Sequence, residues 1–217
     1  MTLLLLVRHA HTDVAGRRLT GWLPGVHLSE RGREQALRLA ERLEGVPITA
    51  VYSSPLERCL ETAHPLAEAR GLAIRNRDDL GEIRFGAWTD RTLAQLRRTK
   101  LWRAVQVAPS TVRFPDGESY LEVQGRALRE VERIARAHPR QTVAVVSHAD
   151  VIRLLLAHFA GVHPDLFQRI VVDPASVSVV ALGDGVRAIH KVNDTGDLSA
   201  LRSRGRGRGP GRAKVGG

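Results

Sequence analysis

The sequence predicts a three-layer α/β/α sandwich built on a mostly parallel sheet, and three features carry that reading. Short, unbroken apolar runs of strand length recur along the chain. Most are followed by a segment whose apolar residues return at helical spacing. Near the end, two further runs are joined by Gly183-Asp184-Gly185, which reads as a hairpin on one edge of the sheet.

The elements follow in order. Leu3 to Val7 is apolar throughout and stops at Arg8 and His9, as expected of a central strand buried on both faces. Ser29 stands where a helix N-cap belongs, with Glu30 in the first turn. Ala36, Leu37, Leu39, Ala40 and Leu43 then repeat until Gly45 and Pro47 end the pattern. Ile48 to Tyr52 is a second strand, leading through Ser53-Ser54-Pro55 into a helix from Leu56 to Ala69 that Gly71 closes. Leu72 to Ile74 is a third strand. Residues 82 to 117 have no clear period and hold Phe85, Trp88, Trp102 and Phe114, so turns and short helices are expected to lie there across the rest. After the turn Pro115-Asp116-Gly117, Glu118 to Ala137 forms a long helix with Leu121, Leu128, Val131, Ile134 and Ala135 on one side. Thr142 to Val146 is a buried strand that runs into Ser147-His148-Ala149-Asp150 and a helix from Val151 to Ala160. The hairpin pairs Val177 to Leu182 with Val186 to Lys191.

Composition bounds the function. The chain has 217 residues, 43% hydrophobic and 26% charged, which excludes collagen-like and wholly disordered classes. A single domain is expected over 1–197, with 83–140 including the segment that covers the site, and a disordered Arg/Gly-rich tail over 198–217. The net charge of +10 suggests a nucleic-acid partner, but the tail holds six basic residues and no acid, leaving +4 for the rest. Nucleic acid is therefore not the favoured partner. The lone cysteine, Cys59, excludes an intramolecular disulfide and a four-cysteine zinc site. The apolar N-terminal run lacks a basic lead, and the stretch from Val151 to Val162 is broken by Arg153 and His158, short of the ~20 residues a membrane span needs. A cytoplasmic protein without a membrane partner is expected, and a homo-oligomer is compatible with the sequence.

Ligands of open parallel sheets gather at the carboxyl ends of strands, where His9 and His148 both fall. Arg8 precedes His9. The helix after His148 offers free N–H groups to an anion, and Arg58 lies near the start of the helix entered from the second strand. Two arginines, two histidines and a helix end suit a dianion such as phosphate. A neutral imidazole there can attack phosphorus, and Glu82, bracketed by Gly81 and Ile83, can be buried enough to act as a general acid. Taken singly, each of these residues reads equally well as surface or core. His9 and His11 also alternate as paired metal ligands can, but no acid-rich partner set completes a site, so no metal is expected. Arg84, Arg91, Arg97, Arg98, Arg103 and Arg113 can bind a further anionic group of the substrate, or form a solvated surface.

Taken together, Val7-Arg8-His9-Ala10-His11-Thr12, Leu19-Thr20-Gly21-Trp22, Leu28-Ser29-Glu30-Arg31-Gly32, Tyr52 through Thr62, Gly81-Glu82-Ile83-Arg84-Phe85-Gly86 and Val146-Ser147-His148 change the weighting. In order and spacing this set resembles the histidine phosphatase superfamily, its phosphoglycerate mutase-like branch. The resemblance implies that His9 is the nucleophile that becomes phosphohistidine. Arg8, Arg58 and His148 would clamp the phosphate. Glu82 would donate a proton to the leaving group and then serve as base for water. Thr20 and Gly21 become candidate substrate contacts, and no cofactor is implied. The sequence departs from the mutases of the branch at Ala15, where they usually carry asparagine, at Ile83, where they carry arginine, and at Phe85, where they carry tyrosine. Ala10 replaces the usual glycine. These departures favour a metal-independent phosphomonoesterase acting on a small phosphorylated metabolite; a bisphosphoglycerate-dependent phosphoglycerate mutase or other phosphomutase is the alternative.

Overall fold

The computed structural model describes residues 1–183 and 185–196, so the tail expected over 198–217 lies outside the described residues. Six strands, β1 (Thr2–Arg8), β2 (Ile48–Ser53), β3 (Ile74–Asn76), β4 (Thr142–Ser147), β5 (Val177–Gly183) and β6 (Val186–Asp194), form one sheet in the order β3-β2-β4-β1-β5-β6. The first four in that order run parallel, and β5 and β6 add the antiparallel hairpin on one edge. The helices are α1 (Glu30–Arg42), α2 (Glu57–Glu68), α3 (Leu93–Leu96), α4 (Lys100–Val107), α5 (Tyr120–Ala137) and α6 (Ala149–Phe159). None among the described residues is long and apolar enough to cross a membrane.

The three layers follow from the pleat of β1. Leu4 to Val7 are each 1% exposed or less, because successive side chains point to opposite faces and both faces are covered. Leu4 and Leu6 join Val143, Val145 and the buried faces of α5 and α6. Leu5 and Val7 join Ala144, Val146 and residues of α1 and α2 such as Leu39 and Leu66. Parallel pairing in register brings Arg8 opposite Ser147 and Ser53 opposite Val146. The carboxyl ends of β1, β2 and β4 therefore finish at one rim.

Several boundaries differ from the sequence reading by a residue or more, and β6 runs on to Asp194 rather than Lys191. The third strand starts at Ile74 rather than Leu72, because the Leu72 N–H is taken by the Ala67 carbonyl at the end of α2. Helix α5 starts at Tyr120 rather than Glu118: Ser119 and Glu122 form a capping box, and the Glu118 backbone pairs with Phe114 and Arg84 instead. Helix α6 starts two residues early, with His148 as its N-cap residue. On α5, Leu121 is 47% exposed, and the apolar face is carried by Tyr120, Val123, Ala127, Val131 and Ile134. The aperiodic stretch does form short helices and turns. It is anchored by a chain of aromatic contacts from Phe85 to Phe114 (4.9 Å), Phe114 to Tyr120 (5.4 Å) and Tyr120 to Phe167 (5.1 Å).

Ser29 caps α1 as expected, accepting from the Gly32 N–H, and its own N–H donates to the His11 carbonyl. The loop after β1 thus lies directly on the first turn of α1. A Cβ at Gly32 would stand 2.1 Å from the His11 carbonyl oxygen. Gly32→Ala gains about 1 kcal/mol of helix propensity, but the backbone contact must yield, and overpacking of this kind costs about 1–3 kcal/mol. A net loss of stability is expected in urea unfolding, and an unchanged midpoint would contradict the contact.

Candidate active site

His9 follows the last residue of β1, and its backbone N–H donates to the Ser147 carbonyl (2.9 Å). Its side chain is 8% exposed, with Nδ1 2.8 Å from the Ala10 carbonyl oxygen. A carbonyl only accepts, so Nδ1 carries the proton and Nε2 keeps a lone pair. Burial, reinforced by the Arg58 and Arg8 charges, lowers the His9 pKa to about 3. The ring is neutral at any ordinary pH. Helix α2 holds its loop: the Ala10 N–H donates to Thr62 Oγ1 (2.9 Å), whose hydroxyl donates to the Arg58 carbonyl (2.6 Å).

His148 is fully buried at the end of β4, its ring centroid 5.3 Å from that of His9. Arg58 Nη2 lies 3.3 Å from its Nδ1. Since a guanidinium only donates, Nδ1 accepts and Nε2–H donates to Ser54 Oγ (2.8 Å). Burial, with the neighbouring Arg58 charge, holds the His148 pKa well below its usual value. Arg58 is 2% exposed and also donates from Nη2 to the Gly21 carbonyl (2.9 Å). Arg8 donates from Nη1 to the Val172 carbonyl (2.7 Å). Arg58 Nη1 and Arg8 Nε are buried and have no partner among the described residues. Leaving a buried cationic donor unpaired is costly. Two such donors beside a neutral imidazole make a pocket complementary to an oxyanion that brings its own acceptors.

Glu82 faces this pocket, with Oε2 3.7 Å from His148 Nδ1 and Oε1 accepting from the Ile83 N–H (3.0 Å). Burial raises its pKa to about 7, helped by the charge of Asp150 and opposed by Arg58 and Arg126. A carboxyl in that state can give up a proton near neutrality. The four titratable expectations, His9, His148, Glu82 and the arginine pair, therefore converge on one pocket.

The loop carrying Glu82 is held by Arg126, which the sequence reading passed over, together with Glu118 and Trp22. Arg126 of α5 is 8% exposed. It donates from Nη1 to the carbonyls of Asp79 (2.8 Å) and Gly81 (2.9 Å), and from Nη2 to that of Glu82 (2.9 Å). It also forks onto Glu118 (2.8 and 3.0 Å), and the second Glu118 oxygen accepts from the Arg84 N–H (2.9 Å). Trp22 Nε1 donates to the Glu82 carbonyl (2.5 Å), and its ring lies so close that a Cβ at Gly81 would be 2.2 Å from Cζ2. The available signal was an arginine falling between Val123 and Ala127 on the apolar face of a helix.

Of the other candidates, Gly21 serves through its carbonyl, which fixes Arg58, while Thr20 is half-buried with its carbonyl accepting from Leu23. His11 Nδ1 is engaged with Ser29 Oγ (2.9 Å), and no group of three His, Cys, Asp or Glu side chains suited to a metal occurs among the described residues. Cys59, 3.5 Å from His148 Nε2, is pushed up to about 12 by burial and stays a thiol.

Replacing Arg126 with Met removes one buried partner and strands the Glu118 carboxylate and three carbonyls. A loss of about 3–5 kcal/mol is expected in chemical unfolding. In the double variant with Glu118→Gln the loss should be less than the sum of the two single losses; simple additivity would show that the two do not act as a pair.

The profile of the histidine phosphatase superfamily (branch 1) matches residues 4–195. Phosphoserine phosphatase 1 of Hydrogenobacter thermophilus is 34% identical over 197 residues, covering 90% of this chain and 93% of that protein. Among solved structures, Bacillus stearothermophilus YhfR superposes with a TM-score of 0.84 at 32% identity, covering 93% of this chain and all of that one. The mycobacterial glucosyl-3-phosphoglycerate phosphatase Rv2419c superposes with a TM-score of 0.79 at 27% identity, covering 88% and 98%. With the match running from β1 through β6, the chain belongs to the histidine phosphatase superfamily, branch 1.

Proposed function

We propose that the protein is a metal-independent phosphomonoesterase that hydrolyses a small phosphorylated metabolite through a phosphohistidine. The observation that carries this reading is the neutral His9 ring, its Nε2 lone pair free, beside two buried guanidiniums that each keep an unpaired donor. The phosphoryl oxygens take the Arg8 and Arg58 donors, and their charge offsets the repulsion between the anionic ester and the nucleophile. His9 Nε2 attacks phosphorus as the bond to the leaving oxygen breaks, and Glu82 passes its proton to that oxygen. The Glu82 carboxylate then takes a proton from water, whose oxygen displaces the imidazole and yields inorganic phosphate. Throughout, the Ala10 carbonyl keeps the Nδ1 proton in place and so stabilises the cationic ring of the intermediate.

Hydrolysis is favoured over phosphoglycerate mutation by the residues beyond Glu82. Ile83 is 0% and Phe85 5% exposed, both packed in the core, so neither offers a polar group to the carboxylate of a phosphoglycerate. The names of the relatives, one a phosphoserine phosphatase and one a glucosyl-3-phosphoglycerate phosphatase, point the same way. In this reading residues 1–197 are one catalytic domain, and 83–140 includes the segment that covers the site and shapes the leaving-group pocket.

Purified protein should hydrolyse para-nitrophenyl phosphate after dialysis against a chelator, and His9→Ala should lower kcat by about a thousandfold or more. Activity retained in that variant would refute the assignment. Glu82 must be protonated to act as acid, so kcat/KM for an alkyl phosphate should fall as pH rises through about 7. Glu82→Gln should lower the rate by about 10²–10⁴-fold and flatten that limb; an unchanged limb would assign it to another group.

A further inference from the structure

We propose that the basic segment at 202–214 docks on its own domain, in the surface groove between α1 and α2, where its guanidinium groups pair with the carboxylates that rim the groove. The occupant is thus a stretch of this same chain, one that lies outside the described residues.

Helices α1 and α2 pack side by side over one face of the sheet, and a groove of about 610 Å³ runs between them. Its apolar part includes Pro65, Ala69 and Leu37, the last 57% exposed. Glu41 of α1, Glu44 just after it and Glu68 of α2 line the same groove, and all three are exposed. Among the described residues neither Glu41 nor Glu44 is in an ion pair, and Glu68 meets only His64 (3.6 Å). Arg70 is the one arginine in the lining. It turns inward, donating from Nη1 to the Leu66 carbonyl (3.1 Å) and from Nη2 to the Leu43 carbonyl (2.6 Å). The groove therefore presents apolar surface under a net negative rim.

The described chain stops beside this groove. Arg42, the last residue of α1, donates from Nη2 to the Asp194 carbonyl (2.9 Å) and from Nε to the Gly196 carbonyl (2.5 Å), which fixes the exit of the chain at the carboxyl end of α1. Arg202 follows six residues after Gly196, a length that spans about 20 Å when extended. A helix with its side chains is about 10–12 Å across, so the segment has only to round the end of α1. From Arg202 to Lys214 six basic residues alternate with Gly, Ser, Pro and Ala, and no acid interrupts them. A stretch so poor in apolar residues cannot bury a core of its own. The rest of the chain is itself positive, so the segment is repelled over most of the surface and attracted where carboxylates outnumber cations. Each exposed pair is weak alone, and the attraction is the sum of several, sensitive to salt.

The test places a nitroxide on the full chain through Gly209→Cys; Cys59 is buried and stays a thiol, so the new cysteine is the one that reacts. In the amide NMR spectrum at low salt, paramagnetic loss of signal is expected at Leu37, Glu41, Glu44, Glu68 and Ala69, while α4, on the other face of the sheet, keeps its signals. The loss should be reversed in about 0.5 M NaCl, where the Debye length falls to about 4 Å, and in the variant Glu41→Lys, Glu44→Lys, Glu68→Lys. Loss spread evenly over the surface, or loss in the groove that survives both salt and charge reversal, would overturn the proposal. Isotope-labelled protein mixed with unlabelled nitroxide-bearing protein should keep all its signals; loss at the groove in that mixture would give it to a second copy and overturn docking within the chain.

Discussion

The rest of the site depends on the burial of the Arg58 charge. A guanidinium 2% exposed at the carboxyl-end rim of a sheet is costly unless its surroundings are arranged around it. One of its nitrogens is held between the Gly21 carbonyl and His148 Nδ1, and that second contact sets the tautomer of His148. The same charge helps to keep both histidines neutral. With the remaining donor unpaired, the fold retains a positive pocket whose best partner is an anion carrying several acceptor oxygens.

The chemistry proposed for this pocket needs an acid as well as a nucleophile, and opposite treatment of two ionisable groups is suited to supplying both. Burial lowers the affinity of His9 for a proton and raises that of Glu82, because in each case it is the charged form that loses solvation. Neither effect would survive a loose loop. The Glu82 segment is therefore fixed from two sides, by Trp22 from the loop before α1 and by Arg126 from α5. Through Arg126 helix α5 is tied to the loop at 79–82, with Glu118 tying the approach to α5 onto the same loop.

Much of the fold was legible because its signals are local. The unbroken Leu3–Val7 run implied a strand covered on both faces, Ser29 before an apolar period implied a helix start, and a histidine at the end of each of two buried runs implied a shared rim. The misplaced boundaries arose where a backbone group was spent on something the period does not record. Leu72 closes α2 and Glu118 pairs with Phe114 and Arg84, so neither joins the element its neighbours suggest. Leu121 faces outward because it stands one residue off the stripe of Tyr120, Val123, Ala127, Val131 and Ile134 that the helical period turns inward.

Order, spacing and residue type along the chain were enough to name the elements, the family likeness and the five residues of the pocket. They could not supply the tautomer of His9, the direction of the Glu82 shift, the unpaired donors of the two arginines or the hold of Arg126 on a loop more than forty residues away. Periodicity and capping report on neighbours within a few positions. Charge states and hydrogen-bond partners depend on which distant segments sheet register and helix packing bring within a few ångströms, and how much water that leaves between them.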